Sequence, residues 1–405
     1  MTKVTIERLG HQGDGIAHGP IFASRTLPGE TVEGDLDGTR LTAPRIVTPS
    51  SDRVSPKCRH YKTCGGCALQ HASDAFVAGW QQDVVTRALG AVGLSAPLRR
   101  LHTSPASSRR RAAFTGRRTK KGAIVGFHGP ASDVVIAVPD CHIVRPSLLA
   151  ALPALEDITR IGASRKSSLR LSVTDTDTGL DVAVTDGKPL DNDLRQVLIE
   201  ISNKSGFARI SWDDEVIAQR VAPILRMGTA PVPVPPGAFL QATAEGELAL
   251  LTSIKDAVGG AGKILDLFAG CGTFALPLSL AAEVHAVESE QSLLDALDAG
   301  WRHATGVKRV TTERRDLFRR PLTPDELQRF DAIVIDPPRA GAEAQIHEIA
   351  AAKVQRIAAI SCNPVTFARD AAILTNSGYR LDWIDIVDQF RWSPHVEVAA
   401  GLTLA

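Results

Sequence analysis

Cys362 lies in RIAAISCNPVTFARD, at the end of an apolar run that reads as a strand and immediately before Asn-Pro. That pair makes a rigid turn able to present sulfur to a cleft, with Arg339 and Arg369 as candidate neighbours that would favour a thiolate. A cysteine in an apolar setting is more often an inert buried thiol, so the surrounding strand ends decide between the two. Asp336 ends DAIVID before two prolines, Glu288 ends EVHAVE, and Asp316 stands in TERRDLF. Acids at the C-terminal ends of successive parallel strands line the crevice where open α/β sheets bind ligands. Close to the end of the chain, RWSPHVEVAA offers Glu397 and His395 as bases. Alternation along that last strand predicts a surface position for Glu397.

KILDLFAGCGTFALPL places Gly270 and Gly272 between a strand and a helix, where missing side chains let backbone approach a ligand. Phe274 and Ala275 follow, so the third glycine of a dinucleotide fingerprint is absent and pyrophosphate binding is disfavoured. Glu288 is placed to accept both ribose hydroxyls of a nucleoside. The implied ligand is an adenosine without a pyrophosphate, and S-adenosylmethionine fits. A thiol then has a use: uracil C5 is a poor nucleophile, and thiolate addition at C6 makes an enolate able to attack a methyl sulfonium, after which a base removes the C5 proton.

Four of the six cysteines lie elsewhere. CRHYKTCGGCALQ carries Cys58, Cys64 and Cys67, and Cys141 follows in VPDCHIV. Four thiolates with a Gly-Gly turn suit an iron-sulfur cluster or a tetrahedral zinc, with His60, His71 and His142 as alternative zinc ligands. SSRRRAAFTGRRTKKG then groups Arg109, Arg110, Arg111, Arg117, Arg118, Lys120 and Lys121 without an acid. In a chain of net charge +1 such a block, beside Phe114 and Phe127, suits phosphate contacts with base stacking. The expected partner is a structured RNA.

The elements that must position these groups follow from composition and rhythm. The 405 residues, 44% apolar and 22% charged, make an ordinary globular chain of two or three domains. No apolar run reaches the roughly 18 residues of a membrane span, and the start lacks a signal peptide, so a cytoplasmic monomer with reduced or metal-bound cysteines is expected. Turn-separated strands at 1–50 predict a small β-barrel. VTPSSDRVSPK reads as a linker into a cysteine segment at 51–94, and 95–228 as an α+β domain with a helix over DNDLRQVLIEISNKS. The proline-rich GTAPVPVPPGAFLQ reads as a hinge. From 229 to 405 a βαβα rhythm predicts a mostly parallel, doubly wound sheet, with YRLDWIDIVDQF and HVEVAAGLTLA as a hairpin at its edge.

Together these motifs resemble the RNA uracil-5 methyltransferases, over nearly the whole chain. GDGIAHGPIFASRTLPGETV resembles a TRAM domain, an RNA-binding barrel of OB-like type, and CRHYKTCGGC with Cys141 is similar to the [4Fe-4S] ligand set of bacterial ribosomal members. AFLQ, LDLFAGCGTF, IDPPRAG, SCNPVTFARD and DQFRWSPHVE match the catalytic motifs in order. The resemblance implies a class I methyltransferase fold, S-adenosylmethionine contacts from Gln241, Phe268, Thr273, Glu288, Asp316 and Asp336, Cys362 as nucleophile and Glu397 as base. The family usually has asparagine where Thr243 and Thr273 stand. Members with barrel and cluster mostly modify large-subunit ribosomal RNA, so 23S ribosomal RNA is the expected substrate. The competing readings are a transfer-RNA uracil-5 enzyme, an RNA cytosine-5 methyltransferase, a non-catalytic iron-sulfur RNA-binding protein and, weakest, a nicotinamide dehydrogenase.

Overall fold

The structure, a computed structural model, describes residues 1–405. Five strands, β1 (Thr2–Leu9), β2 (Gly15–Ala17), β3 (Ile21–Ala23), β4 (Thr31–Asp37) and β5 (Arg40–Thr48), close into a barrel in the order β1-β2-β3-β5-β4. Its own core is only Ile6, Ala17, Ala23, Val32 and Leu41. So small a core is marginal alone, and the barrel leans on its neighbours. Leu9 and Leu27 enter the same apolar cluster as Leu69, Trp80 and the catalytic sheet. The expected linker is itself packed: Arg53 grips the fully buried Glu30 at 2.7 Å and reaches the Arg25 carbonyl, and the Val54 N–H donates to the His71 carbonyl.

A helix at Asp74–Gly90, capped by Ser73, follows the cysteine segment and packs into that shared core through Val77, Trp80, Val85 and Leu89. Strand β6 (Leu98–Thr103) then runs parallel to a strand near the end of the chain and so belongs to the catalytic sheet. The middle domain therefore begins after β6, not at residue 95. Its sheet contains β7 (Arg111–Thr119), β8 (Gly122–His128), β9 (Val135–Ala137), β10 (Ser168–Thr176), β11 (Gly179–Thr185), β12 (Arg209–Trp212) and β13 (Glu215–Gln219), ordered β13-β12-β11-β10-β7-β8-β9. Helices Leu152–Gly162 and Asn192–Ser205 pack on it, the second capped by Asp191 and ended by Gly206 in the left-handed conformation.

The expected hinge is structured as well. β14 (Ile224–Met227) and β15 (Ala230–Pro233) form a hairpin whose Leu225, Met227 and Val232 are buried in the catalytic core. The catalytic lobe thus starts near 224. Its strands are β16 (Lys263–Leu267), β17 (Glu283–Glu288), β18 (Val310–Arg314), β19 (Ala332–Ile335), β20 (Arg356–Ser361), β21 (Tyr379–Asp388) and β22 (Glu397–Leu404). The order is β18-β17-β16-β19-β20-β22-β21-β6, with β18 to β20 parallel and β22 antiparallel to both neighbours. Two large apolar clusters cover the two faces, which is why β19 is buried at every position. The terminal hairpin does not form the sheet edge: β22 is inserted between β20 and β21, and β6 closes the rim.

Candidate active site

The crevice opens at the C-terminal ends of β16 and β19, on either side of the point where strand order reverses. The chain leaves β16 through three left-handed residues, Phe268, Gly270 and Gly272, at φ 62°, 56° and 92°. The two glycines serve different ends. A Cβ on Gly272 would lie 2.8 Å from Leu297, so that glycine permits close packing, whereas a Cβ on Gly270 would project into empty space. The Gly270 N–H donates to Glu288 Oε2 at 3.0 Å, while Glu288 Oε1 accepts from the Ser289 N–H and hydroxyl. Phe268 faces the half-exposed Phe318 at 5.5 Å between ring centroids, and Asp316 holds that loop by accepting from the Phe318 N–H.

Three acids share this crevice. Burial pushes Asp336 up to about 7, against the hydrogen bond from Gln241 that favours its charge. Asp266, on β16 and only 1% exposed, is raised well above the carboxylate range by burial, then by Asp336 and Glu288, against the nearby Ala275 N–H, and neither of its oxygens makes a hydrogen bond of good geometry. Acids held partly neutral by burial offer nothing to a pyrophosphate, and a ligand that carries an ammonium and a sulfonium would restore their charge. The chemistry of the residues therefore fits S-adenosylmethionine. Asp266 escaped the sequence reading although a lone acid inside the apolar KILDLF was a visible signal.

Cys362 occupies the turn between β20 and the helix Pro364–Asn376. Asn363 caps that helix through the Val365 N–H and donates to the Arg339 carbonyl at 3.0 Å, tying the thiol turn to the loop after Asp336. Burial raises the Cys362 thiol, and the charges of Glu397 and Asp336 add to this, while Arg339 opposes it. Arg369, expected beside the thiol, is engaged with Glu343, Asp370 and the Ala340 carbonyl instead. Glu397 is 4% exposed, not at the surface, because β22 runs through the interior of the sheet. Burial and then the charge of Asp336 push it up to about 8. His395 accepts from Arg339 at Nδ1 (3.1 Å), and burial with Arg339 and Arg109 lowers its pKa, so Glu397 is the better base.

In front of the thiol lies a cavity of about 310 Å³. Arg8 and His11 of the barrel, Arg87 of the helix Asp74–Gly90, and Arg339 and His395 of the catalytic lobe line it, and no acid does. A larger hollow of about 440 Å³, at Gly260–Gly262 and Lys353–Arg356, lies at the opposite end of the strands and contains none of these groups.

Residues 188–405 match the family described as tRNA (uracil-5-)-methyltransferase. The chain is also 43% identical over 404 residues to an RNA methyltransferase of Brucella suis, covering 99% of this chain and 97% of the relative. It is 30% identical to the 23S rRNA (uracil(1939)-C(5))-methyltransferase of Shewanella piezotolerans, covering 98% and 94%. The chain belongs to the RNA uracil-5 methyltransferase family. The Pyrococcus abyssi tRNA (uracil-54, C5)-methyltransferase in complex with S-adenosyl-L-homocysteine shares the fold over 99% of both chains, with a TM-score of 0.76 at 22% identity.

Thr243 caps the helix Ala244–Val258 through the Gly246 N–H and bonds Ser104, and Thr273 lies within reach of the Cys271 thiol. Gln241 is buried beside them, its carbonyl accepting from Arg110, whose own charge is paired with Glu247. Arg110 is thus an internal brace and presents no surface to a phosphate. Arg109 stacks on Phe390 and Arg111 donates to the Gly237 carbonyl. Phe114 is fully buried and stacked on Phe127, so it forms core and not a platform for bases. The basic segment therefore splits: Arg117, Arg118, Lys120 and Lys121 sit on the β7–β8 hairpin, with Arg117 and both lysines exposed.

Cys58, Cys64, Cys67 and Cys141 lie within electrostatic reach of one another, and burial followed by this mutual repulsion raises Cys64; for Cys67 the thiol is pushed up to about 12. The Gly66 and Ile143 N–H groups point at the sulfurs of Cys64 and Cys141. His60 pairs with Asp140 through Nε2, and His71 has both ring nitrogens engaged, by Tyr61 and the Thr26 carbonyl, which removes His71 from the candidate zinc ligands.

The charges around Cys362 set the direction of its reactivity. Alkylation of the Cys362 peptide, followed by mass spectrometry, should rise through alkaline pH. Arg339→Leu should slow it several-fold at pH 8 by removing the cation that favours thiolate, and Glu397→Gln should speed it. Equal rates in all three proteins would refute this electrostatic picture.

Proposed function

We propose that the chain methylates C5 of a uridine in 23S ribosomal RNA through a covalent bond from Cys362 to C6. The observation that carries this reading is the thiol itself. It opens onto a cation-rimmed cavity on one side and feels the buried acids Glu397 and Asp336 on the other. Three arginines at the rim suit the phosphates that flank a single base turned into the pocket. The ribosomal substrate is supported by the named relative at 30% identity and by the barrel and four-cysteine segment.

Glu288, Asp336, Gln241 and the glycine loop would hold S-adenosylmethionine, which supplies the methyl group as a sulfonium. Cys362 Sγ, as thiolate, adds to C6, and the C5–C6 electron pair moves onto the O4 enolate, making C5 nucleophilic. After methylation, Glu397 takes the C5 proton, the pair returns to the C5–C6 bond, and the C6–S bond breaks to release the thiolate. A base raised to about 8 is well matched to removing a weakly acidic proton near neutral pH.

Cys58, Cys64, Cys67 and Cys141 would hold a [4Fe-4S] cluster. The thiols share one neighbourhood with backbone N–H groups aimed at two of them. No three side chains of ligating type stand close enough to hold a metal ion as they are, so a cluster and a zinc alike would have to draw the thiols together. The cluster would fix the loop 58–71, and that loop reaches the catalytic segment: the Ala68 and Leu69 N–H groups both donate to the Trp392 carbonyl, at 2.8 and 3.0 Å. Trp392 is left-handed at φ 61° and lies between Gln389 and Glu397. The cluster's proposed role is thus to hold the segment that presents the base.

Labelled methyl transfer from S-adenosylmethionine to RNA of a strain lacking the gene, with nucleoside analysis, tests the reaction. Wild type should label 5-methyluridine in 23S ribosomal RNA, and Cys362→Ala should label nothing. Label in transfer RNA, or 5-methylcytidine, would overturn the substrate. Anaerobic purification should give a brown protein absorbing near about 400 nm with about four irons per chain. An anaerobic protein containing zinc alone would refute the cluster.

A further inference from the structure

The two acids of the site are joined by two glutamine side chains, and the hydrogen-bond directions along this chain are fixed from one end. The Ala242 N–H donates to Gln389 Oε1 at 2.7 Å. A backbone N–H can only donate, so the oxygen of the Gln389 amide must face it and the nitrogen must face the other way. There Gln389 Nε2 donates to Gln241 Oε1 at 2.6 Å and to Glu397 Oε2. With its oxygen so engaged, Gln241 turns its own nitrogen to Asp336 Oδ2, at 3.2 Å. Ala242 is anchored in turn, its carbonyl accepting from the Arg110 N–H. Gln389, Gln241 and Glu397 are 2%, 3% and 4% exposed, so water does not compete for these bonds.

The consequence lies in the individual oxygens of Glu397. Oε2 is held as an acceptor by an amide that has no acceptor to offer on that side. A proton arriving at the carboxylate therefore settles on Oε1. Resting on the Cys362 and Glu397 roles proposed above, we propose that Gln389 is a positioning residue that reserves Oε1 of Glu397 for the proton removed from C5. As the C5–H bond breaks, the proton goes to Oε1, its electron pair restores the C5–C6 double bond, and the C6–S bond opens to return Cys362 as thiolate. The same amide chain keeps Oδ2 of Asp336 an acceptor, so in both acids the proton is favoured on the oxygen that does not face an amide.

Gln389→Met keeps the length of the side chain and removes both donors. Glu397 then loses the bond that favours its anion and the contact that orients it, beside the charges of Asp336, Cys362 and Arg339 that also face this space. Methylated RNA should remain on the protein: a complex stable in denaturant should accumulate with unmodified target RNA, and turnover should fall tenfold or more. The pH at which that complex breaks down should move upward, because the carboxylate is populated only at higher pH. Binding of S-adenosylhomocysteine by calorimetry counts the folded sites. If Gln389→Met has too few, Gln389→Asn, whose shorter amide cannot reach both partners, is read by the same assay.

Glu397→Gln separates the two levels of the argument. If it traps the complex but Gln389→Met releases product at the wild-type rate and pH, the positioning role is wrong and the mechanism stands. If Glu397→Gln traps nothing, the assignment of the base fails, and the role of Gln389 fails with it.

Discussion

Glu397 is an acid at the first position of a strand that runs through the interior of a sheet. Ordinary burial there would cost several kcal/mol for an unpaired carboxylate, and the protein reduces the charge instead, raising the pKa to about 8. Asp336, also buried and raised to about 7, lies within its field, and the thiol of Cys362 feels both. The chemistry proposed for the site follows from that shared environment. A carboxyl at its ordinary value would be too weak a base near neutral pH, and one without a neighbouring amide would have no preferred oxygen.

What makes the burial possible is the topology. Inserting β22 between β20 and β21 brings the end of the chain beside the strand that carries Cys362, and β6, from far upstream, then covers the outer edge. The catalytic sheet is thus completed by a segment that precedes the middle domain. Barrel, cysteine segment and catalytic face share one apolar cluster, and the barrel places Arg8 and His11 at the mouth of the thiol cavity. The barrel and the catalytic lobe thus meet at a single pocket.

Most strand-end positions were legible in the sequence. Cys362, Asp336, Glu288 and the glycine pair follow apolar runs too short for anything but buried strands, and parallel sheets put such positions on one rim. Local pattern failed where long-range contacts decide. Alternation put Glu397 at the surface because it cannot register that a terminal strand will be inserted between two others. Arg110 and Phe114 looked like RNA contacts since a charge run carries no mark of the Glu247 partner or of the stacked Phe127. The helix Asp74–Gly90 went unassigned, its apolar stripe being broken by the buried Gln81. Gln389 gave no signal at all, because its role depends on Ala242, nearly 150 residues away in sequence.

The central claim is that Cys362 bonds to C6 of the target uracil before C5 is deprotonated. Fluorine at C5 cannot leave as a cation, so target RNA carrying 5-fluorouridine should stop the reaction at the covalent stage. Digestion and mass spectrometry of the complex formed with S-adenosylmethionine should find a methylated fluoronucleotide on the peptide that contains Cys362. A complex attached at any other cysteine, or none while the same protein methylates ordinary RNA, would contradict the account.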